Sequence, residues 1–186
     1  MRKRLYDSYT SKRDSANDHS AAKVMVEAGE QLFKIIEKEF GDSFKLKNTW
    51  PVEFCNEVIF YLLHSHFRAL SKVTTSDVNV LMDDLIKAVC QHHTNTLFQL
   101  GFDISAEGFK EAFNRNYSAR KSEYEQFIED WIEQVSLRFG QHAAESLEVS
   151  EENLQLVAAR CSLWAPVVYN DSMPFFRYSV SRAKNL

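Results

Sequence analysis

Apolar residues recur at three- and four-residue steps through most of this chain, which is the spacing of α-helices. Three of these stretches end at a glycine, namely Gly41, Gly101 and Gly140. Glycine tolerates positive φ and commonly terminates helices, and the chain has only 5 Gly and 3 Pro in 186 residues. The pattern therefore predicts an all-α bundle of five or six helices and no strand.

The second helix, over about 51–73, is expected to be the central one. Pro51 suits its first turn, and Val58 to Leu63 is apolar on every side, which indicates burial between neighbouring helices. A third helix follows and ends at Gly101. Because the connection between the two is short, they are expected to form an antiparallel hairpin that places Cys55 level with His93.

The fourth helix is predicted to be unusually long, over about 105–139. At 1.5 Å per residue it would extend roughly 50 Å, so it should bend, break or project towards a partner. A fifth helix is expected from about 151, with Pro166 stopping or kinking it. The tail from Pro174 to Arg182 could add a last short helix.

Composition indicates a single helical domain over 15–186, preceded by a basic, flexible arm over 1–14. The longest apolar run has six residues, whereas a membrane span needs about 20, and no secretory leader is evident. Three cysteines without a CxxC pair do not resemble a disulfide framework. We therefore predict a cytoplasmic protein with reduced thiols and no membrane association.

The residues that could bind a ligand lie between the second and third helices. No common catalytic or nucleotide-binding motif occurs, which argues against an enzyme without excluding one. The hairpin could bring Cys55, Cys90 and His93 together as zinc ligands, with Cys161 as a fourth. His66, on an apolar face, could instead bind haem, or anchor a small apolar ligand. The alternative is that these side chains are ordinary core residues, as reduced Cys often is.

Two surfaces could bind a macromolecule. Arg115, Arg120 and Lys121 alternate with Tyr117 and Tyr124, a mixture suited to a single nucleic-acid strand. The net charge of −4 opposes that interpretation, and a solvated basic face with tyrosines packed beneath it explains the same residues. The second surface is the aromatic tail, with Phe175, Phe176 and Tyr178, which could form an interface or pack on its own core.

The leading hypothesis from the sequence is a non-enzymatic interaction module, such as an adaptor or antagonist. It would bind another protein or a second copy of itself through helical faces, with a homodimer along the fourth helix as one possibility. The alternatives are a bundle that binds zinc, haem or a small apolar ligand, and a nucleic-acid binder that uses the basic arm.

Overall fold

Five α-helices pack around one central helix in the computed structural model, which describes residues 17–41, 51–72, 78–127 and 131–183. These helices are α1 (Asn17–Phe40), α2 (Val52–Ser71), α3 (Val78–Gln99), α4 (Ala106–Tyr124), α5 (Trp131–Ser146) and α6 (Glu151–Ala183). The predicted all-α bundle is confirmed. The predicted arm, residues 1–14, lies outside the described residues.

Helix α2 is the centre of the bundle, as predicted. From Phe54 to His66 every side chain except Asn56 is buried, and α2 contacts all five other helices. An element surrounded in this way must be apolar on all sides, which explains the unbroken run from Val58 to Leu63.

The predicted pairing of α2 with α3 is only part of the packing. The two helices are in contact, but α3 packs more extensively against α1, and α1 also packs on α2 and α6. The buried stripe of α1 includes Met25, Leu32 and Ile36.

The end of α3 is a glycine cap, as the sequence predicts. Gly101 has φ +84°, and the Phe102 N–H donates to the Leu97 carbonyl at 3.0 Å while the Gly101 N–H donates to the Phe98 carbonyl at 3.0 Å. This pair of bonds is a Schellman motif, which satisfies carbonyls that the helix end would leave free. A short extended segment then leads to Ser105, whose side chain caps α4 at the Gly108 N–H.

The segment 105–139 does not form one long helix: it breaks after Tyr124, which is one of the three outcomes expected from its length. Helices α4 and α5 both pack on α2 and also contact each other, and a single straight helix cannot fold back onto itself. Glu123 demonstrates the reversal, since its carboxylate accepts hydrogen bonds at 2.8 Å from Arg138 and from His142, residues far along α5.

Gly140 does not end a helix, contrary to the expectation from the pattern. It lies within α5, where a Cβ atom would overlap the Ser162 hydroxyl and the Ala158 carbonyl of α6. The glycine therefore allows the backbones of α5 and α6 to approach closely. The helix pattern cannot distinguish a glycine that terminates a helix from one that permits such a contact.

Pro166 does not stop α6, which continues through Pro166 and Pro174 to Ala183 and includes the tail that the sequence assigned to a separate short helix. A proline inside a helix removes one backbone hydrogen bond and costs about 3 kcal/mol. Tertiary packing offsets this cost, because Cys161, Ala165 and Ser172 are fully buried on both sides of Pro166. None of the helices in the described ranges has both the length and the apolar character needed to cross a lipid bilayer.

Candidate functional site

The cysteines and histidines singled out as ligand candidates point to different neighbours. Cys55 lies against Gly29 of α1, whose position leaves only 3.1 Å between a hypothetical Cβ and the Cys55 Cα. His93 packs edge-on against Phe109 of α4, with ring centroids 5.3 Å apart. Across the described residues, no three His, Cys, Asp or Glu side chains form a group that could hold a metal ion. Among the described residues, Cys55, Cys90 and His93 therefore do not belong to a group of ligands that could bind zinc.

All three cysteines are free and buried. Desolvation raises the pKa of the Cys55 thiol, further helped by the nearby Glu30 and Glu53 carboxylates, and raises that of Cys161 to about 12. A thiol with a raised pKa carries little thiolate at neutral pH, and thiolate is the form that binds metals and attacks electrophiles.

Three histidines are enclosed in the core. His64, His66 and His93 are each at most 1% exposed, and burial lowers the pKa of each imidazole to about 4. They are therefore neutral near pH 7. Neither ring nitrogen of His93 has a hydrogen-bond partner among the described residues.

The basic and tyrosine-rich stretch of α4 is turned largely inward. Arg120 makes a bidentate ion pair with Glu57 of α2, with N to O distances of 2.8 and 2.9 Å. Tyr117 and Tyr124 are 5% and 0% exposed, so neither ring is available to stack on a base. Lys121 lies 4.4 Å from the centroid of the Phe67 ring, which leaves Arg115 as the fully exposed cation of the set.

The aromatic tail can be placed only by its backbone. Phe175, Phe176 and Tyr178 belong to the last turns of α6, and their side chains lie outside the described residues. Its neighbour Trp164 is half-buried and lines an apolar cavity of about 40 Å³ between α1 and α6. A cavity of that size is far below the 300 Å³ or more that a small-molecule site usually needs.

A larger concave surface is a groove between α5 and α6, which the pattern of the sequence did not indicate. Its volume is about 780 Å³, and it begins beside the close contact of Gly140 with α6. Its lining is almost entirely uncharged: Ile132, Glu133, Ser136, Leu137, Ala159, Ser162, Leu163 and Pro166.

Large apolar side chains stand exposed along this groove. Leu163 is 68% exposed, Leu137 49% and Ile132 44%, while Leu156 lies one heptad before Leu163 on α6 and is 56% exposed. Leu156 and Leu163 fall outside the buried stripe of α6, which runs through Val157, Cys161 and Ala165. The sequence signal for the α6 wall of the groove was Leu163, a large apolar residue outside the stripe that the helical period predicts to be buried.

The groove has one ionisable side chain, Glu133, at its α5 wall. Among the described residues no Lys, Arg or His pairs with this carboxylate, which is exposed in the first turn of α5. The surface thus combines exposed apolar side chains with one carboxylate that has no cation beside it in the described part of the chain.

Comparison with known proteins found no matching family model, no similar curated protein and no similar solved structure.

Proposed function

We propose that this protein is a non-enzymatic, cytoplasmic interaction module that binds an apolar α-helix of a partner protein in the groove between α5 and α6. The exposure of Leu137 and Leu163 on the two walls of one groove carries the proposal. Contiguous exposed apolar surface is uncommon on monomeric proteins and marks interaction sites. The free, reduced cysteines agree with an intracellular location.

A helix is the ligand shape that best suits this surface. The groove follows two packed helices, and amphipathic helices recognise such grooves by placing residues of one face into them. Burying a leucine completely contributes about 1.5–3 kcal/mol, so covering side chains that are half to two-thirds exposed contributes about 1 kcal/mol or more each. Leu137 and Leu163 together could therefore supply about 2 kcal/mol or more of binding free energy.

Glu133 indicates the charge of the partner. Because this carboxylate has no cation beside it among the described residues, a Lys or Arg at one end of the bound helix would find a complementary charge there. The expected partner helix therefore has one apolar face and at least one basic residue.

This proposal accounts for more of the described surface than the alternatives do. A zinc site would need Cys55, Cys90 and His93 to converge, and a haem site would need open space beside His66 or His93, which are at most 1% exposed. A nucleic-acid face would need exposed tyrosines and an unpaired Arg120. The groove requires only side chains that are already exposed.

The test is site-specific photo-crosslinking in cells that express the protein. A crosslinker at position 163 should capture one partner protein. That partner is then purified, and its affinity is measured for the original chain and for the Leu137→Asp and Leu163→Asp variants. Each variant should weaken binding at least tenfold, and Glu133→Lys should weaken it less and reduce its dependence on salt.

Leu100 provides the matched control, because it is also 49% exposed but lies at the end of α3, away from the groove. Leu100→Asp should bind normally. Equal binding by Leu137→Asp and Leu100→Asp would contradict the proposal, and a crosslink from the groove only to a second copy of the chain would replace the partner helix with a homodimer.

A further inference from the structure

A second concave site lies between α3 and α4, and its lining is polar where the groove of α5 and α6 is apolar. The cleft has a volume of about 280 Å³. One wall presents Lys87, Cys90, Gln91 and Thr94 of α3, and the other presents Ala106, Glu107, Lys110 and Asn114 of α4. Six of these eight residues are exposed, so the polar groups of the cleft are accessible to a ligand from solvent.

Two cations face this cleft from opposite walls. Lys87 lies 3.5 Å from Asp84 and Lys110 lies 3.8 Å from Glu107, in each case an acid of the same helix. All four side chains are at least half exposed, and ion pairs of that kind contribute little because water screens them. Both ammonium groups can therefore turn towards a ligand without losing much.

Neutral hydrogen-bond donors complete the lining. The Gln91 amide gives one N–H to the Asn95 side chain at 3.0 Å and has a second to donate, and Asn114 contributes another amide. The Thr94 hydroxyl already donates to the Cys90 carbonyl at 2.8 Å, so it offers only lone pairs. Counted over the lining, two ammonium groups oppose one carboxylate, Glu107.

We propose that the cleft between α3 and α4 binds a small anion with several oxygen atoms, such as the phosphate group of a metabolite, held between Lys87 and Lys110. An ammonium group on each wall can take a separate oxygen of one phosphate, while the Gln91 and Asn114 amides donate to others. This site is independent of the groove between α5 and α6.

Cys90 is a natural reporter for this cleft. Its side chain lines the cleft and is 4% exposed, whereas Cys55 and Cys161 are 0% exposed and line no described pocket wall in this region. Burial raises the pKa of the Cys90 thiol, while Thr94 and the Lys110 ammonium act in the opposite direction. Alkylation should therefore be slow but confined to Cys90.

The experiment titrates the full chain with inorganic phosphate and then pyrophosphate at constant ionic strength, with chloride as the reference anion. The rate of Cys90 alkylation by iodoacetamide is followed by mass spectrometry, and the side-chain amide signals of Gln91 and Asn114 are followed by NMR. We expect at least fivefold slower alkylation, saturable shifts of both amides, and at least tenfold weaker binding in Lys87→Gln and Lys110→Gln.

Lys34→Gln is the control, because Lys34 is an exposed lysine on α1, outside the cleft. Equal weakening by Lys34→Gln would show general charge attraction and would overturn the proposal. Amide signals that do not move at 10 mM phosphate or pyrophosphate would overturn it as well, whatever the alkylation rate. Loss of groove binding in Leu163→Asp should leave phosphate binding unchanged, which separates the two proposals.

Discussion

Arg120 donates two nearly parallel hydrogen bonds to the Glu57 carboxylate, joining residues 63 positions apart in the chain. The Glu57 side chain is only 10% exposed, so its charge depends on this partner. Glu123 continues the network, since it lies 3.8 Å from Arg120 and 2.8 Å from both Arg138 and His142. The network thereby connects α2, α4 and α5 at their common junction.

Removal of Arg120 should be strongly destabilising. Arg120→Ala leaves a nearly buried carboxylate without its cation, and breaking a buried ion pair typically costs 3–5 kcal/mol, so we expect a loss of about 3 kcal/mol. The measurement is urea denaturation of Arg120→Ala, Glu57→Gln and the double variant. The double variant should be more stable than the two single losses would predict, and strict additivity would show that the pair contributes nothing.

The free energy of unfolding should fall as the solution is acidified through the range from pH 6.5 to pH 4. His64, His66 and His93 have folded pKa values of about 4, whereas an unfolded histidine titrates near 6.5, so the unfolded chain binds more protons in this range. Each histidine should cost about 2 kcal/mol between pH 7.5 and pH 5. The stabilisation that depends on these three neutral histidines is therefore present above pH 6.5 and is lost as the pH falls from 6.5 to about 4.

Urea denaturation at several pH values measures this dependence. His93→Leu removes one titrating group. The slope of its unfolding free energy against pH, between pH 4 and 6.5, should therefore correspond to about one proton fewer than in the original chain. An unchanged slope in His93→Leu would mean that His93 is not held neutral by the fold.

Two glycines in helices should respond oppositely to alanine. In Gly140→Ala the new Cβ collides with the Ala158 carbonyl, so α5 and α6 must separate, and we expect a loss of about 2 kcal/mol despite the better helix propensity of alanine. In Gly108→Ala the nearest atoms, those of the Ser105 side chain, are 3.5 Å away, and a gain of about 0.5 kcal/mol is expected. Thermal denaturation distinguishes the two, and a similar change in both would remove the close-contact explanation.

Replacement of Pro166 should separate stability from binding. Pro166→Ala restores the backbone N–H that α6 lacks at this position, so the free energy of unfolding should rise by about 1 kcal/mol. Because Pro166 also lines the groove between α5 and α6, partner affinity should fall even though the fold is more stable. Unchanged affinity together with higher stability would show that Pro166 does not shape the groove.

The helices and the central position of α2 could be predicted because they depend on periodicity and on the unbroken apolar run from Val58 to Leu63. The position of the break after Tyr124 could not be predicted, since the spacing of apolar residues continues through it. The packing of both α4 and α5 on α2 requires the chain to turn there. Gly140 and Pro166 were predicted to end or interrupt helices, but both lie inside helices for a related reason. The preference of glycine and proline for helix ends is weaker than the packing of α5 against α6.

The candidate sites were harder to predict than the fold. Cys55, His93 and Arg120 carry recognisable chemistry, yet each is occupied by a partner or a packing contact that depends on helices remote in sequence. The groove depends on which apolar residues remain uncovered, and that is decided only when all six helices are placed. Leu163 has the same residue type as any core leucine and is distinguished only by its position on α6.

The contacts of α2 with every other helix have a consequence for how the molecule comes apart. If the chain were divided at any loop, only one of the two fragments would contain α2. The other fragment would therefore lack the helix on which its core residues pack. Loss of order in any peripheral helix also exposes part of α2, so the bundle is expected to melt in one concerted step rather than by shedding helices from its edges.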